Sequence, residues 1–223
     1  LGNMSVLCTD KTGTLTEGES RLESTADPEG APSSRVGDLA HWNAALQTGL
    51  PNPLDRAIVA ARADEDRPLP VKLDEVPFDF VRKRLSVLID VPGEEPLLIT
   101  KGAAEPVLSA CAFARDPGGQ VTPLDAERRA ALMARVAAWS RDGVRVIGLA
   151  SRRLPPGVRA TREAETDLVF EGYATFLDPP KPDVGDTGQD HQRRPSRRRR
   201  ARRRADRHGE RRPRPRRRPR RPP

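Results

Sequence analysis

The sequence predicts an α/β chain. An α+β unit, an antiparallel sheet with helices, is inserted between two strands of a different, parallel sheet and is followed by a disordered tail. Three observations lead there. A short apolar run from Met4 to Thr9 breaks at Asp10 into a turn rich in Gly and Thr, and a second run, Leu168 to Leu177, breaks at Asp178-Pro179-Pro180. Between them, helical and alternating apolar patterns follow one another. Beyond residue 183 the composition changes: residues 1–183 carry 22 Lys+Arg and 28 Asp+Glu, whereas residues 184–223 carry 18 Arg and four acids. The net charge of +8 therefore averages two unlike segments.

The elements follow in order. Met4 to Thr9 reads as a buried strand that delivers a loop. Ser20 to Ser34 turns to Ser, Pro, Gly and acids and reads as a solvated connection. Residues 36–50 show helical spacing stopped by Gly49, and a second helix is expected from Pro53 to Ala63, with Pro early, where its missing N–H matters least. Leu85 to Val91 and Pro96 to Lys101 flank Pro92-Gly93 and read as a hairpin. A short helix over Ala103 to Cys111 and a Gly118-Gly119 turn come next. The longest helical pattern runs from Asp125 to Arg141, with Leu132, Val136 and Trp139 on one face and Gly143 where a C-terminal glycine belongs. Val144 to Ser151 reads as a strand, Arg152 to Asp167 as a loop, and Leu168 to Leu177 as another strand.

Several classes are disfavoured. The longest stretch without a formal charge, Leu39 to Leu54, has 16 residues and two prolines, while a span needs about 20 mostly apolar ones. The N-terminus shows no signal-peptide pattern, and the chain reads as an internal segment. Cys8 and Cys111 lie far apart among apolar neighbours, which suits buried, inert thiols in a reducing compartment. In the last 40 residues only Val184, Ala201 and Ala205 are apolar. Low apolar content with high net charge cannot offset chain entropy, so that tail is expected to be disordered. Dense Arg would neutralise nucleic-acid phosphates, but no aromatic is interleaved for base stacking. Out-of-frame translation of a GC-rich gene gives the same composition and is the preferred reading.

The chemistry concentrates in Asp10-Lys11-Thr12-Gly13-Thr14-Leu15-Thr16. A carboxylate at the carboxyl end of a buried strand sits where α/β sheets bind ligands, and Thr12, Gly13 and Thr14 offer N–H and hydroxyl donors for a phosphate. Asp10 can attack the γ-phosphate of ATP to give an aspartyl-phosphate, with Lys11 and a Mg2+ ion offsetting the charge of the transferred group. The plainer alternative is an Asp-capped turn.

Asp10 to Thr16 resembles the phosphorylation motif of P-type ATPases, and the resemblance extends over about residues 1–183. It implies a haloacid-dehalogenase-like phosphorylation domain beginning in residues 1–19, a nucleotide-binding domain over 20–172, and a hinge returning to the phosphorylation domain over 173–183. It implies Asp10 as the phosphorylated nucleophile and the Thr12 carbonyl as a Mg2+ ligand beside Asp10. Lys101-Gly102-Ala103 with Glu105 is similar to the family's K-G-A-x-E segment, whose Lys lines the adenine pocket. Phe78 in PFDFVRKRLSV is similar to the aromatic on which adenine stacks, with Phe80 two residues on as the alternative. The resemblance further places Asp55 near adenine, Arg145 near the phosphates, and Asp178, in the Asp178-Pro179-Pro180 hinge, near the ribose or phosphates.

QTGLPNPLD, FDFVRKRLSV and EGYATFLDPPK look most like magnesium-translocating members of the family. ATP and Mg2+ are the implied cofactors. The implied partners are the membrane helices and actuator domain of a parent pump at the cytoplasmic face of the cell membrane. T-G-D and G-D-G-x-N-D, which would complete the Mg2+ site, do not follow residue 183, so this chain alone is expected not to turn over ATP. A soluble phosphatase of the same fold and a nucleic-acid-binding protein led by its tail are the alternatives.

Overall fold

The computed structural model describes residues 20–49, 52–63, 65 and 68–178. The N-terminal strand, the Asp10 to Thr16 loop, Cys8, the Pro179-Pro180 hinge and the Arg-rich tail lie outside them. The elements are β1 (Arg21–Ala26), α1 (Ser34–Leu46), α2 (Pro53–Ala60), β2 (Lys72–Asp79), β3 (Arg84–Ile89), β4 (Leu97–Ala103), α3 (Ala104–Ser109), β5 (Cys111–Arg115), β6 (Val121–Pro123), α4 (Ala126–Arg141), β7 (Arg145–Arg153) and β8 (Leu168–Leu177). Among the described residues eight strands form one sheet: seven follow the order β2-β3-β4-β7-β8-β5-β6, and β1 joins at β8 off that path. One edge of β8 pairs with β7. Its other edge is shared, with β5 against residues 168–170 and β1 against residues 173–177.

Strand alternation assigns the core to two faces. Val87, Ile99, Leu149 and Phe176 point toward α1 and α2, where Val36, Leu39, Ala40 and Ile58 cover them. Leu88, Leu98, Ala150 and Tyr173 point the other way, under Val107, Leu108 and Leu132 of α3 and α4. Trp139 meets the Tyr173 ring edge-on at 5.1 Å, and the Tyr173 hydroxyl donates to the Leu132 carbonyl at 3.1 Å. Three of these four helix starts are capped: the side chains of Ser33, Asn52 and Asp125 accept from backbone N–H groups of the first turn of α1, α2 and α4. Gly143 adopts a φ of 81° just past α4, the left-handed ending expected there. Cys111 is buried and donates to the Val107 carbonyl, and burial pushes its thiol up to about 12.

Four expectations need correction. The connection over 20–34 contains β1, whose Glu23, Ser24 and Thr25 suit an edge position with little to bury. The sheet is mixed, because β5 runs parallel to β8. Helix α1 ends at Leu46 instead of running to Gly49: the Thr48 N–H turns away to the Glu75 carboxylate at 3.0 Å, and the Gln47 side chain accepts from the Gly49 N–H. Helix α2 stops at Ala60, three residues short of Ala63, and continues only as a turn.

Candidate functional site

Pairing registers bring five of the nominated residues to one end of the sheet. Strands β2 and β4 run in the same direction through their common neighbour β3, and β7 runs against β4. The carboxyl ends of β2 and β4 therefore lie beside the amino end of β7 and the carboxyl end of β8. Phe78, Lys101, Gly102, Arg145 and Asp178 occupy those ends. Lys101 pairs with Leu85 and Leu149, and Arg145 pairs with Phe176, so alternation turns Lys101 and Arg145 toward the α1/α2 face. Neighbouring strands lie about 4.8 Å apart, which puts Phe78 and Lys101, two strands away from each other, within about 10 Å.

The centre of this end is an ion pair between Lys101 Nζ and Asp55 Oδ1, with both side chains buried. Asp55 reaches it from the first turn of α2, begun by the Asn52 cap and Pro53, where a negative charge is favoured by the unpaired N–H groups of the helix start. Gln47 Nε2 donates to the second Asp55 oxygen at 3.3 Å. Burial pushes the Lys101 ammonium below its ordinary pKa, and the Asp55 charge and hydrogen bond oppose that fall. Helix α1 is fixed over the same strand by Asn43 Nδ2, which donates to the Ile99 carbonyl at 2.8 Å.

Phe78 is 47% exposed and Phe80 87%. Their rings meet edge to face with centroids 5.5 Å apart, so the Phe80 ring does not stack flat on Phe78. Gly102 serves packing. A Cβ there would press on the Lys83 carbonyl oxygen and stand 2.7 Å from the Arg84 Cα. Gly102→Ala is expected to destabilise the fold by about 1–3 kcal/mol, as overpacking does. Urea unfolding checks this, and an unchanged midpoint would show that β3 yields freely there. Arg145 is exposed at the first position of β7. Asp178 is half-buried and accepts from Ser20 Oγ at 2.7 Å, which ties together the two places where the chain enters and leaves the sheet. Asp10, Lys11, Thr12 and Thr14, with the Mg2+ ligands expected among them, lie outside the described residues.

Two buried carboxylates were not singled out from the sequence. Glu171 in β8 accepts from Arg35, Arg115 and Ser151, and Glu165, in the loop before β8, accepts from Arg82, Arg84 and Ser86. A lone acid inside the apolar run LVFEGYATFL is a legible signal for Glu171. Nothing in the pattern of residues 152–167 marks Glu165. Cavities of about 610 Å3, beside Trp42 and Leu97, and about 740 Å3, between β1 and α2, open elsewhere, and neither is lined by Phe78, Lys101 or Arg145.

A mixed sheet with helices on both faces, a buried Lys-Asp pair and an exposed Phe at one end of the strands is the setting in which the family comparison falls. The model of the P-type ATPase cytoplasmic domain N matches residues 49–183, and the chain belongs to that family. It is 44% identical over 194 residues to a magnesium-transporting ATPase, P-type 1, of Salmonella typhimurium, covering 82% of this chain and 21% of that protein. The protein of the same name from Escherichia coli K12 is 40% identical over 185 residues, covering 81% and 20%. A calcium-transporting ATPase of Listeria monocytogenes is 26% identical over 206 residues, covering 81% and 23%. The chain spans about a fifth of the length of the curated relatives it matches. Among the described residues, no helix is long and apolar enough to cross a membrane.

Proposed function

We propose that this chain binds ATP at the Phe78, Lys101 and Arg145 end of its sheet, as the nucleotide-binding part of a P-type pump that moves Mg2+. The observation that carries the reading is the buried Lys101-Asp55 pair at the same end of the sheet as the exposed Phe78 ring. Together they offer an aromatic face for a purine, with an acceptor and a donor at its edge. Gly102 lets β3 and β4 approach closely below that edge. Arg145, exposed at the strand end, would meet the phosphates, and Asp178 the ribose or phosphates.

In the parent pump Asp10 would accept the γ-phosphoryl group, while Lys11 and the hydroxyl and N–H of Thr14 hold the phosphate oxygens. Mg2+, held by Asp10 and the Thr12 carbonyl, would neutralise charge on the transferred group. The loop would open a haloacid-dehalogenase-like domain over residues 1–19, with the sheet unit as an insert over 20–172 and the chain returning over 173–183. Pairing of β1 with β8 and the Ser20-Asp178 hydrogen bond support an insert whose two ends lie side by side. The sheet would then sit on the cytoplasmic side, with the pump's membrane helices and actuator domain as partners.

Calorimetric titration of the 223-residue chain with ATP tests the reading. Base–aromatic stacking is worth about 1–3 kcal/mol, so Phe78→Ala is expected to weaken ATP binding by about 5- to 150-fold. No heat of binding with the unaltered chain, or equal affinity in Phe78→Ala, would overturn it.

A further inference from the structure

We propose that Glu165 is a positioning residue for the nucleotide site, holding Phe78 and the β2–β3 turn in place through Arg82 and Arg84; this rests on the nucleotide reading above. Glu165 comes from the loop between β7 and β8, and its side chain is fully buried. One carboxylate oxygen accepts from Arg82 Nη1 and, at 3.0 Å, from Arg84 Nε. The other accepts from Ser86 Oγ at 2.7 Å, and Ser86 shares a hydrogen bond with Thr100 on β4.

Arg82 passes the constraint on. Its Nη2 donates to the Pro77 carbonyl at 2.7 Å and its Nε to the Asp79 carboxylate. It therefore grips the chain on both sides of Phe78. Its own N–H donates to Asp79 Oδ1 at 2.7 Å, closing the turn on itself. Between the two arginines, Lys83 is held at a φ of 51°, in the left-handed region that a residue with a Cβ seldom adopts and that persists only where its surroundings impose it. The Lys83 carbonyl then accepts from the Ala103 N–H at 3.0 Å, directly after Lys101 and Gly102. Arg84 Nη1 donates to the Pro106 carbonyl at 3.1 Å, so the same carboxylate also reaches α3.

Phe78 and Phe80 are both exposed, so hydrophobic packing does not fix the ring. A polar clamp on its backbone does. Without the Glu165 charge, Arg82 has a shared partner fewer, and the ring's position relative to Lys101 becomes one of several. A stacking contact depends on that placement, whereas the distant core does not.

The test uses the 223-residue chain, ATP as the probe, and a double-mutant cycle between Glu165→Gln and Phe78→Ala. Glutamine keeps the shape and an acceptor for Ser86 but removes the charge. Glu165→Gln is expected to weaken ATP binding by about tenfold, in line with the loss of charge-assisted hydrogen bonds. In the Phe78→Ala background the same change is expected to have little further effect, because coupled residues are not additive. Amide exchange at Lys83 and Ala103 should speed up in Glu165→Gln. Unchanged affinity in folded Glu165→Gln overturns the proposal, as does a loss that adds fully to that of Phe78→Ala, or one without faster exchange at Lys83.

If Glu165→Gln does not fold, Arg82→Lys, which keeps the charge but cannot reach Glu165, Pro77 and Asp79 together, is read by the same criteria. Should Phe78→Ala and Lys101→Ala both bind ATP as the unaltered chain does, the nucleotide reading itself has failed. Should both weaken binding while Glu165→Gln does not, only the positioning role falls.

Discussion

Lys101→Ala is expected to weaken ATP binding by about ten- to over a hundred-fold, the range for losing a charge-assisted contact. It should lower stability as well. Lys101 and Asp55 are each only 4% exposed, and removing one member of a buried pair leaves the other charge uncompensated, at a cost of about 3–5 kcal/mol. The two effects can be separated. Asp55→Ala in the Lys101→Ala background removes the stranded carboxylate, so urea unfolding should regain part of the lost stability while ATP affinity stays low. Measured together, calorimetry and urea titration distinguish a ligand contact from a structural strut. Lys101→Ala with full ATP affinity would remove this lysine from the site. Equal stability of the single and double variants would mean that water reaches Asp55 and the pair is not dry.

The residues most legible in the sequence were those whose packing repeats. Helices α1, α2 and α4 show in the apolar spacing of Val36, Leu39, Ala40 and Leu132, in Pro53 at the start of α2 and in Gly143 after α4. The β3–β4 hairpin shows because both strands are buried along most of their length. β1 and β2 escaped notice because they carry Glu23, Lys72, Asp74, Glu75 and Asp79, and Pro77 interrupts β2. Pattern fails at such edge strands, since each buries a single residue, Ala26 in β1 and Val76 in β2, and so has no apolar row to alternate. β5 and β6 were too short to alternate visibly. At the site, Asp55, Phe78 and Lys101 were nominated separately, and the structure brings them to one end of the sheet. The Lys101-Asp55 pair joins residues 46 positions apart in the sequence, a long-range contact that no local spacing encodes. The lone acid Glu171 shows inside its apolar run, but its partners do not, because the arginines that neutralise it come from positions 35 and 115; Glu165 stays hidden altogether, its arginines coming from positions 82 and 84.

Acid should unfold this domain partly through Glu171, and Glu171→Gln should remove that part. The Glu171 side chain is fully buried in β8. It accepts from Arg35 Nε at 2.9 Å and Nη2 at 3.1 Å, from Arg115 Nε at 2.8 Å and Nη2 at 3.1 Å, and from Ser151 Oγ at 2.6 Å. Burial alone would raise its pKa. The hydrogen bonds of Arg35 and Arg115, the Arg35 charge and Ser151 outweigh burial and bring it from 4.5 down to about 2. A folded pKa below the unfolded one means that the ionised carboxylate stabilises the fold fully above about pH 4.5 and loses that contribution as pH falls toward about 2. The difference corresponds to about 3 kcal/mol, a large share of the roughly 5–15 kcal/mol typical of a domain.

Glu171→Gln keeps the shape but leaves two guanidinium groups facing a neutral amide, so near neutral pH it should cost about 3–5 kcal/mol. Urea unfolding of both proteins in steps from about pH 7 to about pH 2 should show the gap between them closing over the lower part of that range. A gap that stays constant down to about pH 2 would mean that Glu171 titrates alike in the folded and unfolded chains, and that Arg35 and Arg115 hold α1 and β5 to β8 by shape rather than by charge.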